Sequence, residues 1–129
     1  MKKTFLFYSF LTLVSIFTFS ACSEDSCDDQ SLSEVIVGSW TSDLGSSTIQ
    51  FLADGTLIDP ADDLIAFETN GVVYSDKSYT VVSDTEIILR AADPDININS
   101  IEFPIEVTGF NCDKITLSLF GINVDLTRE

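Results

Sequence analysis

The tightest constraint on this chain is its rhythm. After Val35, short runs of branched and aromatic residues alternate apolar with polar positions, and a turn signal cuts each run before it reaches helical length. In STIQF (47–51), Ile49 and Phe51 face one way while Thr48 and Gln50 face the other. ADG follows and TLID resumes the pattern, so Asp54-Gly55 is a strong hairpin signal. Asn70-Gly71 separates LIAFE from VVYS, and Asp84-Thr85 separates SYTVVS from EIILRAA, which makes two more hairpins. IEFPIEV (101–107) sets Ile101, Phe103, Ile105 and Val107 against Glu102 and Glu106. Pro104 lies on the polar side with no N–H to donate, which predicts a sheet edge or a bulge there. FNCDK turns the chain into ITLSLF (115–120), and INVDLTR then aligns Ile122, Val124, Leu126 and Arg128. No stretch sustains helical spacing. The pattern predicts an all-β domain of about eight strands, each with one apolar face.

A folded segment of this size forms one domain. Hairpin following hairpin favours a small antiparallel up-and-down β-barrel, in which closure removes the exposed edges. A two-sheet β-sandwich is the alternative. Eight strands enclose a space just wide enough to be filled by side chains or to hold one small ligand. Phe51, Tyr79, Leu89, Phe103, Ile105 and Leu117 are the larger inward candidates, and they either line such a pocket or form the core.

The barrel pattern does not extend to the N-terminus. MKKTFLFYSFLTLVSIFTFSA has a basic start, a short apolar core and small residues at its exit, which are the three parts of a secretory signal, here residues 1–21. Ser9, Thr12, Ser15 and Thr18 dilute the run, and it falls short of the length a spanning helix needs. Residues 22–33 contain SEDSCDDQSLS, acidic, without aromatic or β-branched residues and with Leu32 its only aliphatic one, and read as a flexible tether. The β domain then occupies 34–129. All 21 acidic residues follow the signal, against four basic ones, Lys77, Arg90, Lys114 and Arg128. A surface so acidic repels phosphate backbones, so nucleic acid is not a partner.

The same composition narrows the chemistry. The chain has no His, which removes Ser–His and Cys–His nucleophile pairs and ordinary zinc ligation. No Gly-rich phosphate loop or dinucleotide fingerprint occurs, and no cofactor is implied. Carboxylates are plentiful but fall on turns and outer faces, so the expectation is a protein that is not an enzyme. A carboxylate-based hydrolase is the remaining catalytic alternative. DPDININ (93–99) spaces Asp93, Asp95, Asn97 and Asn99 like the oxygen ligands of a calcium loop, but Ile98 replaces the loop's glycine and Pro104 its final Glu. Asp59, Asp62 and Asp63 form a second acidic turn. Both read as solvated loops, with no metal site expected.

Two resemblances add to this reading. FSAC (19–22) resembles the lipobox of bacterial lipoproteins, with Phe19 in place of the usual Leu. The resemblance implies that Cys22 is acylated after cleavage, and that the protein reaches the membrane through a lipid anchor of several chains. The acidic residues behind Cys22 resemble a signal for export to the exposed face of the outer membrane; a plain spacer, leaving the protein on the periplasmic face, is the alternative. Within the domain, GSW (38–40), IQFLADGT (49–56) and the closing VDLTR resemble the G-x-W start, the DGT hairpin and the last strand of small lipocalin-like lipoproteins. That resemblance implies that Trp40 and Arg128 meet at the closed end of the barrel. A guanidinium in phase with an apolar face needs a partner, and an indole face supplies one. With Cys22 acylated, Cys27 and Cys112 are left in an oxidising compartment, either bridged or as two free thiols. The expected function is a membrane-anchored domain that binds a small hydrophobic ligand or an envelope protein. A packed structural or interaction module is the alternative.

Overall fold

The computed structural model describes residues 27–95 and 99–129. The signal segment, Cys22, the first part of the tether and Asn97 lie outside them. A 3-10 turn, Cys27–Asp29, and a single helical turn α1, Leu32–Val35, precede ten strands. These are β1 Gly38–Ser42, β2 Thr48–Phe51, β3 Leu57–Ile58, β4 Glu68–Thr69, β5 Val72–Val73, β6 Asp76–Ser83, β7 Glu86–Ala92, β8 Ser100–Phe110, β9 Lys114–Leu119 and β10 Ile122–Arg128. Eight of them form one antiparallel sheet in the order β3-β2-β1-β10-β9-β8-β7-β6, while β4 and β5 pair separately. Each neighbour in the large sheet is a neighbour in sequence except β1 with β10, whose Trp40↔Arg128 register brings the two chain ends together. The outer strands meet at a single bridge, Thr56↔Ser78, beside a 2.8 Å bond from the Tyr79 amide to the Gly55 carbonyl. The result is an up-and-down barrel that is nearly closed, and its one continuous sheet rules out the sandwich.

The hairpins fall where the turn residues predict. Asn70 and Gly71 both have positive φ (51° and 78°) between Thr69 and Val72, the geometry that a two-residue hairpin turn requires. Gln50↔Ile58 flanks the Asp54-Gly55 turn, and Ser83↔Glu86 flanks Asp84-Thr85. Pro104 lies in the part of β8 that pairs with β7 alone, beyond the last β9 pair at Glu106, and a bulge follows between Val107 and Gly109. Alternation supplies the core. Trp40, Ile49, Phe51, Ile87, Leu89, Ile115, Leu117, Val124 and Leu126 point inward and are almost fully excluded from solvent.

Three readings need correction. The described part of the tether is not free: Leu32 is completely buried, and Cys27 is disulfide-bonded to Cys112 with Cα atoms 5.4 Å apart. The folded part therefore includes Cys27, and the two-free-thiol alternative falls away. The missed signal is Ser31-x-x-Glu34, a capping box in which Glu34 accepts from the Ser31 amide at 3.0 Å. Ile122 is exposed, so the inward series of β10 starts at Val124. Phe120 belongs to the β9–β10 turn with Gly121, both at positive φ, and not to β9.

Antiparallel order sorts the connections between two ends. The turns at 52–56, 84–85 and 111–113 share one end with α1, where Leu32, Val35 and Ile36 plug the barrel. The Asp84 carboxylate accepts from the Leu32 amide at 2.8 Å and fixes this plug. The other end carries loop 43–47, the long 59–75 excursion, the connection after Ala92 and the Phe120-Gly121 turn.

Candidate functional site

The closed end is a structural lock. The Arg128 guanidinium lies over Trp40, 4.3 Å from the ring centroid. It donates to the Cys112 carbonyl at 2.6 Å and to the carbonyls of Val35 and Val37, so it joins the end of α1 and the connection into β1 to the disulfide-bearing turn. The Trp40 indole N–H donates to the Ile36 carbonyl at 2.8 Å. A Cβ on Gly38, at φ 141°, would lie 2.7 Å from the Arg128 guanidinium, so only glycine leaves room for this packing. Every polar group here is satisfied by its neighbours, and the arrangement holds the fold without offering a site.

The open end differs. Asp59 directs the path of its long loop: its carboxylate accepts from the amides of Asp63, Leu64 and Ile65 at 2.8, 2.9 and 3.1 Å. Lys77 Nζ sits 3.4 Å from the same carboxylate, donates to the Asp59 carbonyl at 2.7 Å, and pairs with Asp62. Asp59 is thus a buried organiser and not a solvated turn residue. A buried carboxylate is tolerable only when several donors and a cation surround it, as they do here. The loop so held drives Leu64 and Ile65 into the mouth of the barrel. Asp63 also accepts from Ser47 at 2.8 Å, which ties the loop to the start of β2.

Above that plug runs a chain of aromatic rings. Phe67 meets Tyr74 edge-on at 5.0 Å and Phe103 at 6.3 Å, and Phe103 meets Phe120 at 6.0 Å. Beneath them lies a cavity of about 140 Å³, walled by Leu64, Ile65, Ala66, Phe67, Phe103, Ile105 and Phe120. Among the described residues no charged side chain lines it. Phe120 forms its lip, 81% exposed, at φ 51°, a backbone region that a bulky residue occupies only at a cost. An exposed ring held in a strained turn gains little for the fold.

The six inward candidates divide accordingly. Phe51 and Tyr79 pack edge to face at 5.0 Å, and with Leu89 and Leu117 they fill the interior. Phe103 and Ile105 line the cavity. Burial first, and then the nearby Asp54, hold the Tyr79 phenol above its usual range, and its hydroxyl donates to the Leu52 carbonyl at 2.7 Å. A shallower groove of about 440 Å³ runs outside the barrel, where β3 and β6 diverge above their single bridge, but Lys77 within it is already committed to Asp59 and Asp62. In the acidic 93–99 loop, Asp93 is buried and accepts from the Asp95 amide at 2.9 Å, as a turn residue does. Among the described residues no cluster of acidic or sulfur side chains is arranged to hold a metal.

Comparison with protein-family models, with curated proteins and with solved structures finds no match for this chain.

Proposed function

We propose that this chain is a lipid-anchored envelope protein whose lipocalin-like barrel binds a small apolar molecule at its open end. The observation that carries the reading is the cavity of about 140 Å³ walled by aliphatic and aromatic residues under the exposed Phe120 ring. An apolar cavity of about 150 Å³ stays dry and accepts a molecule the size of benzene. The rest of the barrel is filled, so a long acyl chain has no room. The ligand is therefore a compound with one ring-sized apolar group. The acidic surface disfavours anions, so that compound is neutral or cationic. The anchor rests on Cys22 within FSAC, and the Cys27–Cys112 bridge supports an oxidising compartment. The meeting of Trp40 with Arg128 at the closed end supports the lipocalin resemblance.

A second reading, a protein-interaction module, draws on the filled interior and on Leu44, Phe120 and Ile122 being exposed at the same end. Titration with indole and with a fatty-acid probe, followed by NMR, separates the two. The ligand reading expects indole to shift the resonances of Phe67, Phe103 and Phe120, and Ile105→Phe to abolish the shift. Shifts scattered over the surface, or insensitive to Ile105→Phe, would overturn it and favour the interaction module.

A further inference from the structure

We infer that the Cys27–Cys112 disulfide orients the anchored barrel, holding the closed end toward the bilayer and the Phe120 mouth toward the aqueous side, so that the ligand arrives from solution and not from the membrane that carries the anchor. This rests on Cys22 being the acylated residue. Four residues, 23–26, separate Cys22 from Cys27, a reach of about 18 Å fully extended. Cys27 is fixed to Cys112 in the 111–113 turn, and Arg128 grips the Cys112 carbonyl, so the leash ends at a rigid point on the closed end. From Cys112 the chain takes eight residues, through β9, to reach Phe120, about 26 Å of strand and roughly 20 Å along the barrel axis at the usual strand tilt. Even fully extended, the leash falls just short of the barrel's height, so an inverted barrel with its mouth against the bilayer is out of reach.

Without the bridge the first buried point is Leu32, ten residues beyond Cys22. The reach then becomes about 36 Å, longer than the barrel, and inversion is allowed. The disulfide therefore decides the orientation even though the helical plug alone would close the barrel.

The test uses the full chain purified from membranes, with its acyl chains confirmed by intact mass. It is reconstituted in phosphatidylcholine vesicles carrying a rhodamine headgroup acceptor. A donor dye is attached by non-cysteine chemistry at Asp113, on the closed end, or at Asn123, beside the mouth; both are exposed. Energy transfer from position 113 is expected to exceed that from position 123 at least threefold. Replacing both Cys27 and Cys112 with Ser brings the two toward parity. A ten-residue Gly-Ser insert between Glu24 and Asp25 does the same with the bridge intact, so the outcome does not depend on the Ser variant folding. Equal transfer from the two positions in the bridged chain, or a difference that survives the insert, overturns the orientation. A chain without acyl mass that fails to bind the vesicles defeats the anchor reading itself, and the orientation with it.

Discussion

The Arg128 guanidinium lies over the Trp40 ring, 4.3 Å from its centroid, while donating to three carbonyls from two separate segments, which makes it the point where both ends of the barrel chain are fastened. Arg128→Ala removes the cation–π contact and strands the Cys112 and Val35 carbonyls in a partly buried setting. The expected loss is about 2–4 kcal/mol in urea unfolding. Arg128→Lys recovers less than half of it, because an ammonium cannot span the three carbonyls that the planar fork reaches. Full recovery by Lys would show that charge alone matters there.

Lys77 and Asp59 form the buried pair behind the mouth loop, with side chains 7% and 0% exposed. Lys77→Met leaves the Asp59 carboxylate without its cation and is expected to cost about 3–5 kcal/mol. The double change Lys77→Met with Asp59→Asn costs less than the sum of the singles by about 1 kcal/mol or more, as for residues in direct contact. Additive losses in a double-mutant cycle would count against the pairing. Hydrogen exchange at the Leu64 and Ile65 amides is expected to quicken in both single variants, since Asp59 holds those amides.

Phe120 separates stability from binding. Asn and Gly accept positive φ at lower cost than Phe does. Phe120→Asn is therefore expected to leave the unfolding midpoint unchanged or to raise stability by about 0.5 kcal/mol, since the relief of backbone strain offsets the lost edge contact with Phe103. The same change weakens binding of an indole probe about tenfold. A variant that is both less stable and equally able to bind would make Phe120 a packing residue and nothing more.

Acid sensitivity has a predictable sign at Asp125. A hydrogen bond from Lys114, 2.7 Å away, and then one from Thr116, also at 2.7 Å, hold this carboxyl below the usual aspartate range. The unfolded chain therefore takes up the proton more readily than the folded one. The contribution is complete above the unfolded value of about 4 and disappears as pH falls through the lower folded value. Asp125→Asn is expected to lower stability at pH 6 more than at pH 3. Because the pair is exposed, the difference is small and shrinks in 0.5 M salt. Asp54 acts in the same direction through its bond from the Thr56 amide at 2.9 Å.

What the sequence determined by itself was the local pattern of strands and hairpins. Alternation at Ile49 and Phe51 sets a face within five residues, and Asn70-Gly71 or Asp54-Gly55 turns the chain by backbone preference, so strands and hairpins were readable without a structure. The resemblance carried by GSW and VDLTR also anticipated the meeting of Trp40 with Arg128. Only the tertiary structure decided which neighbours that alternation would acquire. Leu32 is buried because a one-turn helix finds the end of a barrel that later strands build, and Asp59 is buried because Lys77, eighteen residues on, comes back to meet it. The size of the cavity was equally hidden. It is the volume left over when side chains from several strands and one loop fill a cylinder, and such a remainder belongs to no segment of the chain.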